Sequence, residues 1–151
     1  GRSLVSDIGF YAAQVLSVKP GRVPALILKG GVHHLGSPLL SIYSSGDVAR
    51  VQAITAQGSE IEGGEAEFAV YGSLCLSHDC LHPKAVLPRG IKRGDWILIS
   101  DCGAYGMTAA VPFFIGQALA LEYAFYLDPK GGECRIDDIS PQNFRSYHES
   151  F

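Results

Sequence analysis

What this sequence lacks narrows it first. Twelve lysines and arginines stand against fifteen acids, for a formal net charge of −3, and with no basic patch the chain offers little to a phosphate backbone. Nucleic acid is not an expected partner. Nor is there an apolar run of the roughly 18 to 20 residues that a membrane span needs. The nearest approach, MTAAVPFFIGQALALEYAFYL at 107–127, is broken by Pro112, Gly116, Gln117 and Glu122. No membrane association is expected. The start lacks a secretory leader's charged and then apolar segments, and four cysteines in 151 residues fit a reducing, cytoplasmic compartment better than a disulfide scaffold. There is no internal repeat and no low-complexity segment. The first residue is Gly1 rather than Met, inside a strand-like pattern, so the chain reads as a piece of a longer polypeptide.

What is present is an ordinary globular composition, 47% hydrophobic and 18% charged, enough for one sizeable core. Turn clusters recur along it: KPGR at 19–22, KGG at 29–31, SSGD at 44–47, QGSE at 57–60, EGGE at 62–65, PRGIKRGD at 88–95 and DPKGGE at 128–133. Glycine supplies positive φ and proline presets φ, so these clusters cut the chain into short elements. Between them lie runs rich in β-branched and aromatic residues, at 4–18, 23–28, 49–56, 66–71, 95–100 and 122–127. In ARVQAIT, Val51, Ala53 and Thr55 share one face while Arg50, Gln52 and Ile54 share the other, a period of two. GDWILIS is almost wholly apolar, as a strand covered on both sides would be, and Trp96 within it is expected in the core. Only 107–121 suggests a helix, and Pro112 and Gly116 limit it to a turn or two. The fold class is mainly β: a Greek-key-like barrel or sandwich of short strands with one or two short helical turns.

The densest chemistry lies in GSLCLSHDCLHP, at 72–83. Cys75, His78, Cys80 and His82 are all zinc-donor types, but structural zinc sites usually pair ligands from two separated knuckles. A reactive thiol and a buried structural one are the other readings of Cys75. Two further segments carry polar chemistry: GR at the start, and DCGAYG at 101–106, a tyrosine flanked by glycines after an apolar run.

Singly these are weak signals; their order is more specific. GRSLVSDIG followed by VLSVK, then GSLCLSHDCL, then RGDWILISDCGAYGMT resembles the C-terminal domain of the fold-type III pyridoxal-phosphate decarboxylases, the group of diaminopimelate and ornithine decarboxylases, over roughly residues 1–115. The resemblance implies pyridoxal 5'-phosphate as cofactor and gives each residue a role. Cys75 matches the cysteine that reaches across a dimer interface to protonate the carbon left by CO2 loss. An ordinary thiol, with a pKa of about 8.5, is mostly protonated at neutral pH and can serve as that acid. Tyr105 matches the tyrosine that hydrogen-bonds the cofactor phosphate. Gly1 and Arg2 match the end of a Glu-Pro-Gly-Arg segment at the cofactor, Arg2 also contacting substrate; a guanidinium fork suits a carboxylate. Asp79 falls where the family places an acid that helps the dimer contact, and a structural role is assigned to it. Metal ligands are not implied.

The departures matter as much. Ser73 stands where the family usually has proline. Members acting on free diamino acids carry an acid directly after the cysteine, where this chain has Leu76, which cannot pair with an ammonium. The segment GGVHHLGSPLLSIY offers Ser37, Pro38 and Ser41 where diaminopimelate decarboxylases carry an arginine and a tyrosine. These differences point to a modified or carrier-linked amino acid as substrate. The Schiff-base lysine of the family comes from an N-terminal (β/α)8 barrel, and no lysine here, among Lys19, Lys29, Lys84, Lys92 and Lys130, matches it. The domain alone is therefore expected to be inactive, and a barrel domain and a homodimer through this domain are the implied partners. A non-catalytic β-barrel binding module and a zinc-stabilised structural domain are the alternatives. His33 and His34 are expected at an interface or exposed, and Cys80, Cys102 and Cys134 as core or surface thiols.

Overall fold

The computed structural model describes residues 2–36, 49–128 and 132–140, with side chains from residue 4 onward. It divides into two compact units, Gly1–Val111 and Pro112–Phe151. The first unit holds six strands: β1 Tyr11–Lys19, β2 Ala25–Leu28, β3 Val51–Ile54, β4 Glu65–Tyr71, β5 Cys80–Pro88 and β6 Trp96–Ile99. Their order in the sheet is β3-β6-β1-β2-β4-β5. All neighbours are antiparallel except β2 and β4. The two end strands, β3 and β5, approach one another, so the sheet curls into a nearly closed barrel, as the composition and turn spacing suggest.

Inward positions alternate as a period of two requires. In β1, Tyr11, Ala13 and Val15 are buried and meet Leu26, Leu28, Val70, Leu87, Ile97 and Ile99 in one cluster. Each large aliphatic buried there contributes roughly 1.5–3 kcal/mol relative to exposure. The same alternation corrects one expectation. Ile97 and Ile99 of β6 are fully buried, but Trp96 and Leu98 on the opposite face are only partly covered, so Trp96 lies outside the core.

Two other segments depart from the sequence reading. The first, expected as strand from residue 4, forms a short helix α1 at Arg2–Val5 and a 3-10 turn at Ser6–Ile8, and the strand begins at Tyr11. Its apolar side chains Leu4, Ile8 and Phe10 are exposed, so no sheet neighbour holds this segment extended. The second is β5, which passes through Pro83 and was not anticipated. The register steps from Phe68↔Ala85 to Val70↔His82, which places Pro83 and Lys84 opposite one residue, in a bulge. A proline needs no ladder N–H there, and the Lys84 N–H donates instead to His82 Nδ1 at 3.2 Å.

The second unit contains a 3-10 turn at Phe114–Gly116 and an antiparallel pair, β7 Tyr123–Tyr126 and β8 Arg135–Asp138. Arg135 donates to both oxygens of Asp137 and lies 5.5 Å over the Tyr126 ring. No helix among the described residues is long and apolar enough to cross a membrane.

Candidate active site

Strand direction gathers the polar segments at one end of the barrel. β2 and β6 both run antiparallel to β1, and β4 runs parallel to β2, so the start of β1 and the ends of β2, β4 and β6 face the same way. From that end emerge the 6–9 segment, the 30–36 segment, the 72–79 loop and the 101–106 turn. The 30–36 segment bridges the last two: Ser73 N–H donates to Gly30 O at 2.8 Å, and Gly36 N–H donates to Gly106 O at 2.7 Å.

The 72–79 loop carries Cys75 and is organised around Asp79, which is 2% exposed. One carboxylate oxygen accepts the Val32 N–H at 2.8 Å and the other accepts the Leu74 N–H at 2.8 Å. The Asp79 backbone closes the loop by accepting from Gly72 N–H at 2.9 Å. A Cβ at Gly31 or Gly72 would strike this carboxylate, so both glycines are set by close approach. Burial pushes the Asp79 pKa up, and the two N–H donors pull against it. Inside the loop the side chains alternate. Leu74 and Leu76 are partly buried against the core, while Ser73, Cys75, Ser77 and His78 are exposed. The Cys75 thiol is free and at the surface. Leu76 is therefore a packing residue.

The 101–106 turn carries Tyr105 and is held by backbone. Cys102 N–H donates to Gly9 O at 3.0 Å and Gly103 N–H to Ser6 O at 2.9 Å. Asp101 and Tyr105 both take positive φ, 62° and 60°, a conformation uncommon outside glycine. Tyr105 is 54% exposed. Its flanking glycines admit close packing: a Cβ at Gly103 would strike Val5 O. These bonds bring the segment that follows Arg2 against the Tyr105 turn. Gly1 and the Arg2 side chain lie outside the described residues, as do Ser37, Pro38 and Ser41.

A cleft of ≈ 270 Å³ lies beside this turn, lined by Asp7, Phe10, Arg50, Gln52, Leu98, Ser100 and Asp101. The sequence reading missed it, because its polar groups come from three separated segments. Behind the turn, Tyr11 Oη and His34 Nδ1 are 3.1 Å apart, and the His33 and His34 rings lie 3.8 Å apart. His33 is 3% exposed, which corrects its expected surface or interface position; burial first, and His34 second, lower its pKa to about 4. His34 is partly buried. No three His, Cys, Asp or Glu side chains among the described residues converge as a metal site, so Cys75, His78, Cys80 and His82 do not form the zinc cluster their spacing allowed. Cys80 is partly buried, with its thiol pKa raised by burial. Cys102 points its thiol at Ile99 O and Ser100 O, 3.3 Å from each, and Cys134 is exposed.

The profile of the pyridoxal-dependent decarboxylase C-terminal sheet domain matches residues 3–103. The chain belongs to this family. It is 24% identical over 123 residues to the L-glutamyl-[BtrI acyl-carrier protein] decarboxylase of Niallia circulans, covering 81% of this chain and 28% of that one. It is 31% identical over 115 residues to the diaminopimelate decarboxylase of Escherichia coli strain K12, covering 70% and 26%. A crystal structure of diaminopimelate decarboxylase superposes with a TM-score of 0.75 at 26% identity, over 99% of this chain and 35% of that one. The chain thus spans about a quarter to a third of these relatives' length.

Proposed function

We propose that this chain is the C-terminal β-domain of a homodimeric, pyridoxal-phosphate-dependent amino-acid decarboxylase, and that Cys75 is its proton donor in the neighbouring subunit's site. The observation that carries this is the presentation of Cys75: an exposed thiol on a loop whose flanking leucines turn inward and whose end is pinned by the buried Asp79. A thiol so held can meet a second molecule without rearrangement. It gives its proton to the substrate α-carbon after CO2 departs and regains one from solvent, to which it is open.

Pyridoxal phosphate, when bound, supplies the electron sink that lets the bond to CO2 break. The groups on this chain fit that cofactor at one point. The Tyr105 hydroxyl is exposed on a turn whose glycines let backbone come close, and it makes no side-chain hydrogen bond among the described residues, so it is available to a phosphate oxygen. The family resemblance assigns Gly1 to the cofactor and Arg2 to the substrate carboxylate as well. The cofactor lysine and most of the phosphate contacts come from an N-terminal barrel domain. The exposed Leu4, Ile8 and Phe10 beside the Tyr105 turn are the surface on which that barrel rests. With Leu76 packed against the core, the residue after the cysteine offers no counter-charge to a substrate ammonium, and the substrate is a modified or carrier-linked amino acid.

The test uses the full-length enzyme. Cys75→Ala is expected to leave cofactor binding intact while slowing decarboxylation or misdirecting protonation; normal turnover and product would refute the donor role. Tyr105→Phe is expected to weaken cofactor affinity by about 1–2 kcal/mol, the worth of one hydrogen bond to a charged acceptor.

A further inference from the structure

The loop that presents Cys75 also decides what else a bound substrate meets. Between residues 72 and 79 the sole acid is Asp79, and both its oxygens are consumed by backbone N–H groups beneath the surface. Leu74 and Leu76 are turned into the core. The groups left on the outer face with the thiol are therefore Ser73, Ser77 and His78. Ser77 Oγ and His78 Nδ1 are 3.1 Å apart. With Ser77 donating into Nδ1, the ring proton would sit on Nε2, and this exposed ring would offer an N–H donor. An ammonium brought to this face would lose water and find no anion, which is costly. A carboxylate or an acyl carbonyl would find a donor.

We propose that His78, oriented by Ser77, is a specificity-determining residue of the Cys75 site and recognises an oxygen acceptor at the far end of the amino-acid substrate. This rests on the reading of Cys75 as a donor into the neighbour's site. It goes beyond that reading by naming the end-group chemistry and the residue that selects it.

L-Glutamine and L-ornithine are suitable probes, because they differ only at the far end, a carboxamide against a methylene ammonium. Each is titrated into the full-length holoenzyme, and the change in cofactor absorbance gives Kd. Glutamine is expected to bind at least about tenfold more tightly than ornithine. His78→Ala should weaken glutamine about tenfold and ornithine by less than about twofold, the loss of one hydrogen bond felt by one probe alone. His78→Gln, which restores an N–H donor, should recover most of the loss. His78→Asp should invert the preference. Equal weakening of both probes, no effect on glutamine, tighter binding of ornithine by the unaltered enzyme, or no saturable change with either would overturn the proposal. Cys75→Ala in parallel separates the two readings. Slowed turnover with unchanged Kd upholds the donor role even if His78 proves indifferent, whereas normal turnover removes the donor role and the His78 proposal with it.

Discussion

The Cys75 loop and the Tyr105 turn emerge from the same end of one barrel but are held by different means. The 72–79 loop hangs on a side chain: the Asp79 carboxylate ties Leu74 in its own loop to Val32 in the 30–36 segment. The 101–106 turn hangs on backbone, through carbonyls of Ser6 and Gly9 and the Gly36 amide, with glycines at the closest approaches. The first should fail when one functional group is removed, the second when one methyl is added.

The largest expected effect is at Asp79. Asp79→Ala in the full-length protein orphans one buried and one partly buried N–H group and opens a cavity, at a cost of about 3–4 kcal/mol, and should change the alkylation rate of Cys75. Asp79→Asn keeps one oxygen acceptor and should cost about half as much; equal losses, read by denaturant unfolding, would mean that the two bonds are not what holds the loop. Gly36→Ala should come next, about 3 kcal/mol, because its Cβ meets the Ala109 and Ala110 backbone, which cannot swing aside as a side chain would. It should weaken cofactor binding through Tyr105 and leave Cys75 alkylation unchanged. Coupled loss at both loops would erase the distinction between them.

His33, at the root of the 30–36 segment that joins both loops, sets a smaller, pH-dependent effect. Its pKa falls to about 4 in the fold from about 6.5 when unfolded. Between these values the unfolded chain binds a proton that the folded one does not. The stability His33 contributes is thus complete above about pH 6.5 and is lost as pH falls toward 4, amounting to about 2 kcal/mol by about pH 5. His33→Asn should flatten this limb of the unfolding-midpoint profile; an unchanged limb would assign it to another group.

Much of this contrast could be read from sequence, and its limits have physical causes. Glycine and proline clusters marked turns, the period of two in ARVQAIT located β3, and runs rich in β-branched and aromatic residues located β1, β2, β4, β6 and β7, because all of these are local properties. β5 escaped because Pro83 argues against a strand unless the bulge that accommodates it is known, and the bulge is a property of the pairing with β4. The 4–10 segment looked like strand because Leu4, Val5, Ile8 and Phe10 are apolar, yet no described residue of this unit covers Leu4, Ile8 or Phe10. Cys75 and Tyr105 could be singled out by the order of their motifs. The role of Gly31 and the tie from Asp79 to Val32 could not, since those contacts join residues more than forty positions apart.

The smallest stability effect carries the central claim. Cys75 is exposed, so Cys75→Ala should change stability by less than about 0.5 kcal/mol, and any functional loss is then chemical. The most direct measurement mixes full-length Cys75→Ala subunits, impaired alone, with subunits lacking the cofactor lysine, inactive alone, and assays formation of the correctly protonated amine. A thiol that serves the neighbouring subunit predicts more of that amine from the hybrid dimers than from either parent, whereas a mixture no better than the Cys75→Ala parent would contradict the account.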